Sequence, residues 1–259
     1  MPVATIDGEA IEYLVTGSGE PVTVFAHGLS GSIGETRPLG SGVTGTRVFF
    51  HFRGHGESAS PAGAWSYDDI GAELRAVADH FGARRALGAS MGAGAILNVL
   101  AKDPERFDRV VLFLPAVLDF IPADAPVHRL TALADAIDHR DVDTLTQILV
   151  DDQPEPVRAM PNVQEYMRMR AEGLVGTPVS RAVRSIPLSV PVEDRSVLQR
   201  VDVPVLILGQ EGDPVHLASI AREINDALPN AQLHVFPEHG GIWQDRDTLR
   251  TVITNFLNE

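Results

Sequence analysis

Apolar residues follow two rhythms along this chain. Unbroken runs such as "PVTVFAHG", "TRVFFHFRGHG", "DRVVLFLPA" and "DVPVLILGQEGD" are rich in β-branched residues and leucine, and run into glycine or proline. They predict strands covered on both faces. "ARRAL" and "AQLHVFPEHGG" are shorter runs of the same kind. Between them lie stripes at steps of three and four: Tyr67, Ile70, Leu74, Val77 and Phe81; Leu217, Ile220, Ile224 and Leu228; Leu249, Val252, Ile253, Phe256 and Leu257. Each predicts an amphipathic helix. Ser66 and Asp69 precede and open the first with capping-box spacing. At the start, "VATIDG" and "EAIEYLVTG" predict a hairpin turning at Asp7-Gly8. The alternation predicts an α/β fold with a mostly parallel sheet of about eight strands flanked by helices.

One stretch breaks the alternation. Residues 116–195 contain helical patterns, the best being "HRLTALADAIDHRDVDTLTQILVDD" and "VQEYMRMRAEGLV", and no good strand. Six prolines, from Pro154 to Pro191, punctuate it. The expected organisation is a core of residues 1–115 and 196–259 with a helical cap, or lid, of residues 116–195. Such a cap belongs over the carboxyl ends of the strands, where open α/β sheets bind ligands. A helical subdomain with only a packing role is the alternative.

Composition narrows the picture further. With 259 residues, 44 % of them hydrophobic, the chain has material for one large core. A formal net charge of −14 would repel phosphate backbones and anionic lipid, so nucleic acid and membrane surfaces are not expected partners. No apolar run reaches the ~18 residues of a membrane span. The start, "MPVATIDGEAIEYL", does not read as a signal peptide. The chain has no cysteine, which excludes disulfides, thiolate metal sites and a cysteine nucleophile. A cytoplasmic location is expected; homo-oligomerisation stays open.

The candidate chemistry centres on Ser90. It sits between "ARRAL" and the helical "GAILNVLAKD", with Gly88 and Gly92 two places to either side. A small-residue helix start packed on a neighbour would explain the composition. The spacing G-x-S-x-G at a strand-to-helix junction instead predicts a sharp turn that exposes a nucleophilic hydroxyl, with the glycines removing side chains that would collide. A serine needs a base to take its proton and a carboxylate to orient that base.

Together, "GASMG", "HGLSGS", "RGHGES", "VPVLILGQEGDPVH" and "EHGGIW" occur in an order that resembles the α/β-hydrolase superfamily, and in particular lid-bearing serine hydrolases such as enol-lactonases, small esterases and cofactor-free perhydrolases. The resemblance implies the chain order Ser, acid, His. It implies Ser90 as nucleophile, His239 as base and Asp213 as acid, with Glu211 and Asp119 as rivals for the acid. The implied oxyanion hole uses the N–H groups of Leu29 and Met91. Gly28, Ser30 and Trp243 are expected at the substrate, packing being the alternative for Trp243. His27 comes too early in the chain to be the base and is expected to brace its loop. His216 follows the acid at the wrong junction and is expected at most to line the pocket. His51 stands where the family often has aspartate, a departure that leaves the triad untouched.

The other histidines have quieter expectations. His55 belongs to a structural turn, His234 is a packed or edge residue, and His80, His128 and His139 are solvated or locally bonded. His51 and His55 have the spacing of a zinc pair, but the glycines around His55 oppose a helix. No metal and no nucleotide cofactor are expected. Arg168, Arg170, Arg181 and Arg184 belong on solvated helix faces, or would recognise an anionic substrate. The expected function is hydrolysis of a small or medium carboxylic ester or lactone, a small-molecule substrate, through an acyl-enzyme on Ser90. The alternatives are a thioesterase, C–C bond hydrolase or perhydrolase using the same residues, and a ligand-binding relative without turnover.

Overall fold

The computed structural model describes residues 1–121, 127–238 and 243–259. The chain opens with the expected hairpin, β1 (Val3–Ile6) and β2 (Glu9–Thr16), paired antiparallel across Asp7-Gly8. There follow β3 (Val22–Ala26), α1 (Ile33–Thr36), β4 (Thr46–Phe50), α2 (Tyr67–Phe81), β5 (Arg85–Ala89), α3 (Met91–Lys102) and β6 (Arg109–Phe113). Four helices come next: α4 (Val127–Asp138), α5 (Val142–Asp151), α6 (Pro161–Leu174) and α7 (Ser180–Ser185). The chain closes with β7 (Val205–Gln210), α8 (Ala218–Ala227), β8 (Ala231–Phe236) and α9 (Arg246–Asn258).

The eight strands form one sheet in the order β1-β2-β4-β3-β5-β6-β7-β8. From β4 through β8 every pairing is parallel; β2 joins β4 antiparallel. Successive side chains of the central strands alternate between two cores, as the two-residue period of a strand requires. Val24, Ala86 and Val110 pack with Leu74, Ile96 and Ile224 from α2, α3 and α8. Their neighbours Phe25, Leu87 and Val111 pack with Leu249, Ile253 and Phe256 of α9. Burial on both faces is why these strands read as continuous apolar runs.

Helix α2 begins as its spacing predicts. The Ser66 N–H donates to Asp69 Oδ2 at 2.8 Å, closing the capping box. The long helical pattern around residues 128–152 is two helices, α4 and α5. Arg140 takes a positive φ of 59° between them, and Asp141 caps α5 by accepting from the Thr144 N–H at 3.0 Å. Among the described residues no helix is long and apolar enough to cross a membrane.

Helix α3 lies very close to β3. A Cβ on Gly92 would sit 2.4 Å from the backbone oxygen of Ala26. Neither partner is a flexible side chain, so an added methyl must push helix from strand. Gly92→Ala is expected to lower stability by at least ~1–3 kcal/mol, read as a drop in the urea midpoint with an unchanged slope.

Candidate active site

Ser90 occupies the turn from β5 into α3 with φ 50° and ψ −108°. For a residue with a side chain this costs on the order of 1–3 kcal/mol. The turn is held by backbone: the Ser90 N–H donates to the Phe113 carbonyl at 2.9 Å, and the Gly94 N–H donates to the Ser90 carbonyl at 3.1 Å. A Cβ at position 88 would lie 2.3 Å from the Gly92 oxygen, so the predicted collision is real. Two further non-glycine residues at positive φ, Ser30 (55°) and Leu114 (49°), end neighbouring strand loops and line the same cavity as Ser90. Strain is concentrated at the carboxyl ends of β3, β5 and β6.

The hydroxyl of Ser90 meets an imidazole, and it is that of His216. His216 Nε2 lies 3.0 Å from Ser90 Oγ, and His216 Nδ1 lies 3.1 Å from Asp213 Oδ2. The other Asp213 oxygen accepts the N–H groups of Val215 and His216, each at 2.8 Å. Asp213 is only 7 % exposed. Burial by itself would raise its pKa. The facing imidazole and the two backbone N–H groups outweigh that and hold the carboxyl below the ordinary carboxylate range. His239, the base implied by resemblance, lies outside the described residues. Glu211 is engaged by Arg222, and Asp119 by Arg195 at 2.6 Å, so neither rival carboxylate is directed at this imidazole.

Behind the loop that carries Gly28, Leu29 and Ser30 stand three buried imidazoles. His27 Nε2 accepts the Phe52 N–H at 3.0 Å, His55 Nε2 accepts the Ser30 N–H at 3.1 Å, and His51 Nε2 accepts the Ile33 N–H at 3.1 Å. Each Nδ1 faces an oxygen: Gly28 O at 2.7 Å, Arg53 O at 2.9 Å and Glu12 Oε2 at 2.8 Å respectively. The network therefore assigns the proton of each ring to Nδ1. Burial above all, with neighbouring imidazoles adding to it, pushes the His27 pKa well below its usual value. Burial likewise brings His55 down to about 4. The zinc-like spacing of His51 and His55 serves to fasten backbone, and among the described residues no group of three or more metal-binding side chains stands together.

A cavity of about 1160 Å³ opens over Ser90, between the sheet and helices α4 to α6. Gly28, Leu29, Ser30, Met91 and Trp243 all line it, as does His216. Trp243 both lines and packs: its Nε1 donates to Gln153 Oε1 at 3.0 Å, and its ring meets Tyr166 edge-on. Arg168 and Arg184 are spent on surface carboxylates, and Arg181 on the carbonyls of Ser60 and Pro61. Arg170 departs from that expectation and turns inward. It pairs with Glu35 at 2.9 Å and donates to the Ser30 carbonyl at 3.2 Å, tying α6 to the Gly28–Ser30 loop. The stripe position of Arg170 gave no sign of this. His216 did leave a signal, the i, i+3 pairing of aspartate and histidine within the loop "DPVH".

Comparison with known proteins agrees with the fold. A family model described as alpha/beta hydrolase fold matches residues 21–159. A Synechocystis sp. protein provisionally named a non-heme chloroperoxidase is 27 % identical, the match covering 98 % of this chain and 96 % of that one. The 3-oxoadipate enol-lactonase 2 of Acinetobacter baylyi is 25 % identical over 73 % of this chain and 69 % of its own. Among solved structures, an enol-lactonase from Burkholderia xenovorans LB400 superposes with a TM-score of 0.81 at 18 % identity, covering 100 % of both chains.

Two outcomes follow from the loop's supports. Arg170→Ala, by freeing Ser30, is expected to lower kcat/KM by about 10–100-fold, with the far-ultraviolet spectrum unchanged. In the unfolded chain His27 and His55 titrate near ~6.5, and in the fold lower. Their contribution to stability is whole above that pH and is lost as pH falls toward 4, because the unfolded chain binds protons the fold refuses. Urea midpoints measured between pH 7 and pH 4 are expected to fall through this window, and to fall less in His55→Asn.

Proposed function

Because this chain belongs to the alpha/beta hydrolase fold family, we propose that it hydrolyses a small or medium carboxylic ester or lactone through an acyl-enzyme on Ser90. The observation that carries the reading is the strained Ser90 hydroxyl bonded to an imidazole that is itself anchored on a buried carboxylate. In the first step Oγ bonds to the substrate carbonyl carbon as its proton passes to the imidazole, and the carbonyl electron pair moves to oxygen. Collapse of that oxyanion breaks the bond to the leaving alkoxide, which takes the proton back. Water repeats the sequence on the acyl-enzyme, releasing the acid and restoring Ser90.

The oxyanion is assigned to the N–H groups of Met91 and Leu29. Met91 opens α3, so its N–H has no acceptor within the helix and lies at the positive end of the helix dipole. Two imidazoles are candidates for the proton: His239 by its place after β8, and His216 by its contact with the serine. Helices α4 to α7 act as the lid. The cavity is roomy and its wall includes Phe120 (46 % exposed) and Leu217 (47 % exposed), which suits a substrate with a sizeable apolar part. The relationship to the provisionally named chloroperoxidase favours, as a second reading, interception of the same acyl-enzyme by hydrogen peroxide to give a peracid.

A panel of nitrophenyl esters of rising acyl length tests the first reading. Turnover is expected, with a loss of about 10³-fold or more in Ser90→Ala, and a fluorophosphonate is expected to label Ser90. Absence of both turnover and labelling in the wild-type protein refutes it.

A further inference from the structure

We infer that the Tyr67 hydroxyl is a substrate-binding group of the Ser90 cavity, and that it selects an ester or lactone carrying a second, uncharged oxygen; this rests on the serine-hydrolase reading above. The inference starts from a hydroxyl without a partner. Tyr67 is only 4 % exposed, and it lines the cavity over Ser90. Among the described residues its hydroxyl has no hydrogen-bond partner, yet it is not one of the sealed, unpaired side-chain atoms, so the cavity is what it faces. Packing alone does not account for that oxygen. Burying a hydroxyl that finds no partner is unfavourable, and phenylalanine fills the same volume without the cost.

The surroundings are cut to fit the ring. A Cβ on Gly94 would lie 2.3 Å from Tyr67 Cε1 and 3.0 Å from the hydroxyl oxygen, so the phenol rests against the first turn of α3. The Gly94 N–H donates to the Ser90 carbonyl, which places the phenol beside the turn that the nucleophile begins. Tyr67 is also held from two sides. It is the first residue of α2, inside the capping box of Ser66 and Asp69. The preceding Trp65 N–H donates to Ser185 Oγ at 3.1 Å, which joins this segment to α7. A donor fixed in this way loses little freedom when a ligand arrives.

The chemistry of the acceptor follows from the setting. Burial raises the pKa of the phenol, and no charged side chain contributes. The hydroxyl therefore stays neutral and can donate. A carboxylate on the ligand would find no cation facing it here. A ketone, ether or amide oxygen accepts the hydrogen bond without a full charge having to leave water. The substrate so selected is an oxo or alkoxy ester or lactone, with its second oxygen a few bonds from the scissile carbonyl.

The test is Tyr67→Phe, which removes the oxygen and keeps the ring. Wild type and variant are assayed on nitrophenyl hexanoate and on its keto analogues, with the ketone at each successive acyl carbon. The same scan is made in the alcohol half of alkyl hexanoates. The readout is the ratio of kcat/KM for each keto ester to that of its parent, which divides out any general change in the fold. At one or more ketone positions this ratio is expected to fall about 3–10-fold in the variant, chiefly through KM. An unchanged ratio at every position overturns the inference. Binding gives a readout that needs no turnover: the Kd of the preferred keto ester is expected to weaken by a similar factor between Ser90→Ala and Ser90→Ala/Tyr67→Phe. Failure of wild-type turnover and of Ser90 labelling removes the hydrolase reading, and the comparison of Kd across the whole keto series then decides separately whether Tyr67 holds the second oxygen.

Discussion

The site depends on one unfavourable backbone conformation, the left-handed turn at Ser90. Nothing local favours it. It persists because β5 is sealed between β3 and β6 on one side and because α3 must start where the sheet ends. Gly88 and Gly92 let helix and strands approach to distances no side chain tolerates. Large buried surfaces on both faces of the sheet outweigh on the order of 1–3 kcal/mol of strain. The hydroxyl is thus held out from the strand end, beside the imidazole that the loop after β7 delivers.

A second constraint lies beneath the facing loop. Three neutral imidazoles, from residues 27, 51 and 55, replace water as acceptors for backbone N–H groups that turns leave without carbonyl partners. Glu12 on β2 continues this support to the antiparallel edge of the sheet, accepting from His51 and from the Glu57 N–H. His51 stands where the resembled family often has aspartate. Its ring links Glu12 to the start of α1, and a shorter carboxylate would contact these partners differently.

Much of this was legible in the sequence, for identifiable reasons. Strands buried on both faces read as nearly continuous apolar runs, so β3, β6 and β7 were plain. The stripes of α2 and α9 each cover one face of the sheet and kept their period. The elbow was legible because only glycine fits two places to either side of Ser90. What escaped notice depends on direction and not on type. That the His216 ring reaches the Ser90 hydroxyl depends on how the β7 loop folds back, which chain order does not state. The inward turn of Arg170 depends on where α6 docks, and docking is set by tertiary packing. The division of the helical stretch into α4 and α5 rested on a single left-handed arginine, a conformation that residue identity does not announce.

The tie between Arg170 and the loop at Ser30 has a thermodynamic corollary. Any displacement of α6 that widens the entrance must first break the contacts to Glu35 and to the Ser30 carbonyl. By reciprocity, any ligand that binds more tightly while these contacts hold must strengthen them to the same degree that they strengthen its binding.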